Sequence, residues 1–197
     1  MSILALTSNT LVTAASGQIE YNGQFFGTDS NASRAQMQRI TQGTAVASTS
    51  GTSIDFTSLP AWVKKITVML AGVSTSGTSA FLVQIGAGSI TNTGYVSGAV
   101  SAQSTASSSA AFTSTAGFLA TGSINSAAGL QTGTVTIVNF NSNAWVASTC
   151  VAQTDGTRGA VGGGSITLGG TLDRVRITTV NGTDTFDAGT INIIYEG

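Results

Sequence analysis

Apolar residues recur at every second position in six segments of this chain, and this alternation restricts the fold more than any other feature. In segment 65–71 it places Ile66, Val68 and Leu70 on one side of an extended backbone. Alternation of β-branched residues with this period is typical of antiparallel strands that bury one face. The other segments with the pattern are 81–85, 134–140, 144–150, 173–180 and 190–195. The sequence therefore predicts an all-β fold.

Turn signals rich in glycine and asparagine separate these segments, for example at 92–94, 141–143 and 181–182. Many short strands joined by such turns favour two antiparallel sheets packed face to face, most often in a jelly-roll winding. The glycine triplet 162–164 is interpreted as a further flexible turn, because no helix follows it to form a phosphate-binding loop. We therefore expect an antiparallel β-sandwich of jelly-roll type over 51–197.

Residues 1–50 are polar and are predicted to form a short N-terminal arm. Two short strands are expected on either side of a turn at Asn22 and Gly23. One short helix is predicted within 29–40, which has polar residues that can cap a helix and residues that favour one. A helix of this length needs a neighbour to pack on. Residues 41–52, rich in serine and threonine, are expected to be a linker or an extended edge segment.

The chain carries few charges, since charged residues make up 8% of its 197 residues compared with about 25% in an ordinary soluble domain. A neutral surface rich in hydroxyl groups gives separate copies little charge repulsion. This favours a protein whose surface is largely covered in an assembly, although a secreted β-domain of low charge has the same composition. The low-complexity stretch 96–125 fits either a long surface loop or strands of small residues packed against neighbouring subunits.

The charge pattern also excludes several classes of partner. With a net charge of −1 and only the lysines Lys64 and Lys65, the chain has no basic patch for nucleic acid or for an anionic membrane. No apolar run approaches the roughly 18 residues of a membrane-spanning helix, and the first ten residues lack the charged and apolar regions of a signal peptide. The lone cysteine, Cys150, excludes an intrachain disulfide and indicates folding in a reducing cytoplasm.

The composition argues against catalysis. The chain has no histidine, which removes His-based triads, histidine metal ligands and the usual general base near neutral pH. Cys150 is expected to fill space in the core, because no histidine is present to activate its thiol. Asp184 and Asp187 form the one local acidic cluster, which fits either turn residues or part of a Ca²⁺ site. We predict no enzymatic activity, no catalytic or metal-binding residues and no cofactor.

Arg174 and Arg176 are two residues apart in a strand segment, so their side chains share one face of the strand. This spacing predicts either a solvated face or salt bridges, with Asp173 or with a neighbouring subunit. Neither alternative implies a catalytic role for the two arginines.

Four longer segments carry a resemblance to a known class of protein. They are 54–77 (IDFTSLPAWVKKITVMLAGVSTSG), 81–86 (FLVQIG), 135–146 (VTIVNFNSNAWV) and 172–197 (LDRVRITTVNGTDTFDAGTINIIYEG). Together they resemble a module common in tail-fibre and other structural proteins of tailed bacteriophages. The segment GQIEYNG at 17–23 is similar to one that precedes the distal domain of many phage fibre proteins. Residues 96–125 lie outside the resemblance.

The resemblance implies a jelly-roll-like head, homotrimeric assembly and a role in host attachment or particle decoration. We therefore predict a homotrimeric tail-fibre or tail-tip subunit of a virion, made in the host cytoplasm, whose arm over 1–50 contacts other virion proteins. A capsid decoration protein or head fibre is the alternative within the same class. A polysaccharide-degrading enzyme is the alternative from a different class.

The resemblance supplies no binding site, so the expected receptor contacts come from the exposed turns. The candidate residues are Asn92, Tyr95, Asn141, Asn143, Asp155 and Arg158. Neutral turns rich in hydroxyl groups suit glycans better than charged partners, which makes a host surface glycan the expected ligand. Trp62, Tyr95 and Trp145 could form a platform for stacking a sugar, although their positions in or beside strands favour packing in the core.

Overall fold

The computed structural model describes residues 19–21, 25–28, 33–103, 109–122, 126–156 and 158–197. The chain divides into two compact units, Met1–Arg39 and Ile40–Gly197. Within the described residues every element of regular secondary structure is a β-strand, and all strand pairings are antiparallel. The all-β antiparallel fold predicted from the alternating segments is therefore confirmed. Among the described residues there is no candidate for a membrane-spanning helix.

The first unit contains a three-stranded sheet made of β1 (Ile19–Tyr21), β2 (Phe25–Thr28) and β3 (Arg34–Gln36), in that order. The two short strands expected here pair as predicted, with β1 antiparallel to β2. The turn residues Asn22 and Gly23 lie outside the described residues.

The short helix predicted within 29–40 is wrong for the described part of that segment. Strand β3 lies inside it and pairs with β2, and residues 37–39 have no regular structure. Residues 29–32 lie outside the described residues. The strand is favoured because its backbone groups find partners along β2, whereas an isolated helix of a few residues is marginal in water.

The second unit is built from two antiparallel sheets. The first sheet contains β4 (Ile40–Gln42), β5 (Val46–Ala47), β7 (Lys65–Thr75), β10 (Val96–Gln103), β11 (Ser109–Ser114), β13 (Gln131–Asn141), β14 (Ala144–Gln153), β15 (Arg158–Thr167) and β17 (Phe186–Glu196). The second contains β6 (Ile54–Phe56), β8 (Phe81–Ala87), β9 (Ser89–Ile90), β12 (Phe118–Leu119) and β16 (Arg174–Thr179).

The order of strands in the nine-stranded sheet is β11-β10-β15-β14-β13-β7-β17-β4, with β5 also paired to β17. The order in the five-stranded sheet is β12-β8-β16-β6, with β9 paired to β8. The turns at 141–143 and 154–156 connect β13, β14 and β15 into a meander. A jelly-roll winding of the whole unit stays a prediction.

Strands β4 and β5 place the boundary between the units earlier than the sequence predicts. Both pair with β17, and the units divide after Arg39, so residues 40–50 belong with the sandwich rather than with an arm over 1–50. Ser48 is fully buried there and donates a hydrogen bond of 2.8 Å to the carbonyl oxygen of Ala188. Strands of two or three residues are too short to show the alternation of apolar and polar residues by which a strand is predicted, so the sequence did not indicate β4 and β5.

The two sheets pack face to face around one hydrophobic core. Phe81 of β8 meets Phe186 of β17 edge-on across the core, with their ring centroids 5.9 Å apart. Burial stabilises the fold by about 1.5–3 kcal/mol for each large apolar side chain. The predicted inward positions that are buried include Ile66, Val68, Leu70, Phe81, Val83, Ile85, Val135 and Ile137.

The described parts of the low-complexity stretch 96–125 form strands β10, β11 and β12 instead of one long surface loop. Small side chains allow β10 to approach the second sheet closely. Ala99 of β10 packs with Leu82 of β8 and Leu119 of β12 in a second hydrophobic cluster. Because Leu82 and Val83 point to opposite faces of β8, this cluster lies on the side of β8 that faces away from the main core.

The glycine triplet 162–164 lies inside strand β15, so its interpretation as a flexible turn is wrong. It pairs on one side with β14 and on the other with β10. A β-carbon on Gly162 would lie 2.7 Å from the carbonyl oxygen of Gly98, and one on Gly164 would lie 2.7 Å from that of Val96. Glycine is needed here because the two strands approach closely, which sequence alone does not reveal.

Cys150 is exposed, so the expectation that it fills the core is wrong. In β14 the buried positions are Trp145, Thr149 and Val151, which places Cys150 on the outward side of the sheet. Apolar residues occur on both faces of this strand, and the sequence pattern therefore does not fix which face is buried.

A β-bulge interrupts the pairing of β7 with β17. The register shifts so that two residues of β7, Gly72 and Val73, lie opposite Gly189 alone. Both glycines have a positive φ, +62° for Gly72 and +90° for Gly189. A β-carbon on Gly189 would lie 2.3 Å from the carbonyl oxygen of Gly72, so the sheet has no space for a side chain at this point.

Candidate functional site

The predicted receptor-contact residues lie at two opposite ends of the nine-stranded sheet. Asn141 and Asn143 precede strand β14, whereas Asp155 follows it and Arg158 begins the next strand. The ten residues of β14 span roughly 33 Å at about 3.3 Å per residue. The structure therefore does not bring the six candidates together into one site.

The turn at 92–94 shares an end of the sheet with the turn at 141–143. Gly94 lines the same surface depression as Phe140 and Ala144. Asn92 and Asn141 are exposed at this end, while Asn143 is half-buried and its carbonyl oxygen accepts a 2.9 Å hydrogen bond from the amide of Leu168. A receptor contact at this end of the molecule stays a prediction for Asn92, Asn141 and Asn143.

Tyr95 is almost fully buried and is therefore not placed to touch a receptor. The amide of Ile85 donates a 2.8 Å hydrogen bond to its hydroxyl, which also lies 3.1 Å from the carbonyl oxygen of Ile85 and 3.0 Å from that of Thr91. Burial raises the pKa of Tyr95 to about 12. Its hydroxyl thus stabilises the turn that leads into β10 from inside the protein. The position of Tyr95 beside a turn signal in the sequence did not indicate this role.

The two candidates at the opposite end of the sheet are Asp155 and Arg158. The Oδ1 atom of Asp155 accepts a 2.9 Å hydrogen bond from the amide of Leu130. Arg158 is half-buried and lines a cavity of about 10 Å³ together with Ser101 and Thr121. The hydrogen bond of Asp155 connects two loops, and the cavity beside Arg158 is too small for a ligand. A receptor contact at these two residues stays a prediction.

A depression of about 490 Å³ opens on the outward side of the sheet beside the turns at 92–94 and 141–143. Its lining is largely apolar and includes Val96, Phe140 and Val146. Phe140 is 76% exposed, which is unusual for a phenylalanine in a strand. Glycan sites need several converging hydrogen-bonding groups, so this depression fits an apolar partner better than a sugar.

The depression is one end of a wider surface, the outward side of β11, β10, β15, β14 and β13, which we call the neutral face. Among the described residues none of its outward side chains is charged. These residues are Ser109, Ala111, Thr113, Val96, Gly98, Val100, Ala102, Gly159, Val161, Gly163, Ser165, Thr167, Ala144, Val146, Ser148, Cys150, Ala152, Thr134, Thr136, Val138 and Phe140.

The neutral face is a surface that the sequence patterns did not predict. A signal for it exists in the sequence, because two consecutive apolar residues in a strand must point to opposite faces. Trp145 and Val146 form such a pair, with Trp145 buried and Val146 exposed, and Ala160 and Val161 form another. Half-buried strands with a solvated outer face would carry polar residues at these outward positions.

The outer face of the five-stranded sheet has a different chemistry, since it carries charged residues in closed pairs. Nε of Arg176 lies 2.7 Å from Oδ1 of Asp55 on the neighbouring strand, and Nε of Arg174 lies 2.7 Å from Oδ1 of Asp173. A second nitrogen of each arginine bonds the other carboxylate oxygen. The salt bridge predicted with Asp173 is confirmed for Arg174, whereas Arg176 uses a partner that sequence spacing does not reveal. Arg176 borders two shallow cavities of about 370 and 340 Å³, and Asp55 borders the second of them.

The Asp173–Arg174 pair predicts a measurable pH dependence of stability. The hydrogen bond from Arg174 is the largest of the effects that hold the pKa of Asp173 below its ordinary value. A lowered folded-state pKa stabilises the protein above the unfolded-state pKa of about 3.9, and this contribution is lost as pH falls through the folded-state value. We expect Asp173→Asn to lower the melting temperature at neutral pH, with the difference from wild type shrinking below about pH 4.

The matched control is the same change in an Arg174→Gln background, followed by thermal melts from neutral to acidic pH. Because the partner is then missing, Asp173→Asn should no longer change the pH profile. A pH-dependent difference that persists without Arg174 would contradict this origin of the effect.

Asp184 and Asp187 have separate hydrogen-bond partners, Asp184 in loops and Asp187 on the neighbouring strand β7. Asp184 accepts hydrogen bonds from the amide of Ser79 at 3.0 Å and from the side-chain amide of Asn181 at 2.6 Å. The hydroxyl of Ser74 bonds Asp187. In the described part of the chain no group of three or more acidic, cysteine or histidine residues could hold a metal ion. The interpretation as a turn residue fits Asp184, which lies in the connection between β16 and β17, whereas Asp187 is a residue of strand β17.

The three aromatic residues considered as a sugar platform do not share a surface. Trp145 and Tyr95 belong to the main hydrophobic core, as their strand positions favoured. Trp62 is half-buried and packs on Tyr195, with ring centroids 5.7 Å apart. Core packing is therefore confirmed for Trp145 and Tyr95.

The two outer faces of the sandwich thus differ in charge and polarity. The nine-stranded sheet presents exposed apolar side chains without charge, and the five-stranded sheet presents arginines whose charges are balanced by aspartates. No known protein family, curated protein or solved structure matches this chain.

Proposed function

We propose that this chain is a non-enzymatic structural subunit of a tailed-bacteriophage particle, assembled as a homotrimeric tail fibre or tail tip that takes part in host attachment. The observation that carries the proposal is where the phage-like segments lie in the fold. They contain β6, β7, β16 and β17 and most of β8 and β13. Strands β13, β7 and β17 are neighbours in one sheet, and β8, β16 and β6 are neighbours in the other.

The phage-like segments therefore make up a contiguous sandwich core rather than scattered pieces. The stretch 96–125, which has no such resemblance, supplies β10, β11 and β12 at the edges of the two sheets. Edges and connections can vary without changing a core. This arrangement supports a shared scaffold with an edge particular to this chain, as expected for attachment proteins that use one fold for different contacts.

The chemistry of the chain supports a structural role over polysaccharide cleavage. It contains no histidine, and the Asp55 and Asp173 carboxylates are each occupied by an arginine. Cleavage of a glycosidic bond needs two carboxyl groups facing the same bond. Incubation with host surface polysaccharide should therefore release no reducing ends, and robust release would reverse this part of the proposal.

The location in the virion can be tested directly with an antibody raised against residues 53–197. Gold labelling of purified particles is expected at the tail, with few copies of the chain per particle. Labelling over the capsid shell with many copies per particle would instead favour a decoration protein or head fibre. Particles from a phage that lacks the gene are the control for background labelling.

A further inference from the structure

We propose that the neutral face is the surface through which copies of this chain contact one another. This inference rests on the homo-oligomer of the proposed function and assigns its interface. Six of the eleven large hydrophobic side chains exposed in the described residues lie on this one face. They are Val96, Val100, Val138, Phe140, Val146 and Val161. Contiguous exposed apolar patches on soluble proteins mark interaction sites.

The side chains of the neutral face form continuous rows across the strands. Val100, Val161 and Cys150 are register neighbours on β10, β15 and β14. The next outward row along these strands consists of Gly98, Gly163 and Ser148, which are small. The face therefore combines apolar ridges with shallow rows, a shape that another sheet face can approach closely.

The size of the neutral face suits a stable interface. Strands lie about 4.8 Å apart and rise about 3.3 Å per residue, so five strands of this length present roughly 700 Å². Each partner in a standard protein interface buries about 800 Å². A smaller patch would support only a transient contact.

The distribution of charge favours another copy of this chain as the partner that binds the neutral face. At the border of the face beside β7 the Nζ atom of Lys65 forms a 2.9 Å salt bridge with Glu196, so the centre of the face is free of charge and this border is charged. Interfaces between subunits have this anatomy. A charged partner would lose its hydration against the centre without gaining counter-ions, whereas a second neutral face would not. A second copy offers such a face, and around a three-fold axis the neutral face of each copy would contact the neutral faces of both neighbours.

The test places one charge at the centre of the face by Val161→Lys. Val161 is 60% exposed in the single chain, so the chain itself accommodates the change. In an assembly the ammonium group would lose water without a counter-ion and weaken association by roughly 100-fold or more. The matched control is Val180→Lys, which makes the same change at a 52% exposed valine outside the neutral face. Sedimentation equilibrium of the full chain reports the mass, with 19.6 kDa for a single copy.

The reactivity of Cys150 gives a second measurement. It neighbours Val161 in the register of β14 and β15 and is exposed in the single chain. If the face is covered by another copy, a maleimide reagent should label native wild-type protein slowly and the Val161→Lys protein quickly. Circular dichroism spectra confirm that both lysine variants are folded.

The outcomes separate this inference from the proposed oligomer. An oligomeric wild type with a protected Cys150, a dissociated Val161→Lys variant and an unchanged Val180→Lys variant would support it. An oligomeric wild type with a rapidly labelled Cys150 would overturn the assigned interface and leave the oligomer standing. A monomeric wild type would overturn both, and protection of Cys150 in that monomer would show that the chain covers its own face.

Discussion

Replacing Gly189 with alanine is expected to lower the free energy of unfolding by about 2–5 kcal/mol, through two effects that add. Its φ of +90° is a backbone conformation that residues with a β-carbon rarely adopt. The new β-carbon would also lie 2.3 Å from the carbonyl oxygen of Gly72, and that oxygen belongs to a paired strand that cannot move aside freely. Urea unfolding at one fixed protein concentration measures the loss.

The matched control is Gly72→Ala on the opposite side of the same bulge. Gly72 also has a positive φ, but a β-carbon there would meet no atom within 4 Å. It should therefore lose only the conformational term, about 1–2 kcal/mol. Equal losses for the two variants would show that the close contact at Gly189 relaxes without cost.

Shortening Ile177 to alanine is expected to destabilise the protein by about 2–5 kcal/mol, because it leaves a cavity in the main core. Ile177 is fully buried on β16, where it pairs with Ile54 of β6 and Val83 of β8. Three strands of the five-stranded sheet therefore lose contacts at once. The urea midpoint should fall while the slope of the transition stays the same.

Ile40→Ala removes the same atoms from a side chain that is 60% exposed on the edge strand β4. A change of this kind on the surface should stay within about 0.5 kcal/mol of wild type. Comparable losses for Ile177→Ala and Ile40→Ala would contradict the position of the core between the two sheets.

The strands that the sequence predicted well are those in which alternation is long and one-sided. Segment 65–71 became part of β7 with the expected residues buried, because a period of two leaves only one way to bury one face. Cys150 was placed on the wrong face because β14 carries apolar side chains on both. The apolar side chains on the outward side of β14 belong to the neutral face and not to a second hydrophobic core.

The remaining errors share one physical cause, which is that the deciding partner lies far away in the sequence. Glycines ordinarily signal a turn, but those of β15 serve a close approach to β10. Tyr95 follows a turn signal, yet hydrogen bonds to Ile85 and Thr91 hold its hydroxyl inside. Asp55 meets Arg176 only because β6 and β16 pair. Local patterns cannot specify such contacts.

The place of β17 in the sheet has a consequence for how this protein is made. β17 pairs with β7, β4 and β5, all of which leave the ribosome more than a hundred residues earlier. At about 5–20 residues per second, those strands wait on the order of ten seconds for their partner. During this interval the nascent chain presents an open strand edge of β7 in the middle of the future sheet. Ribosomes that follow one another on the same message carry identical open edges, so chaperones that keep nascent chains apart should raise the yield of folded protein.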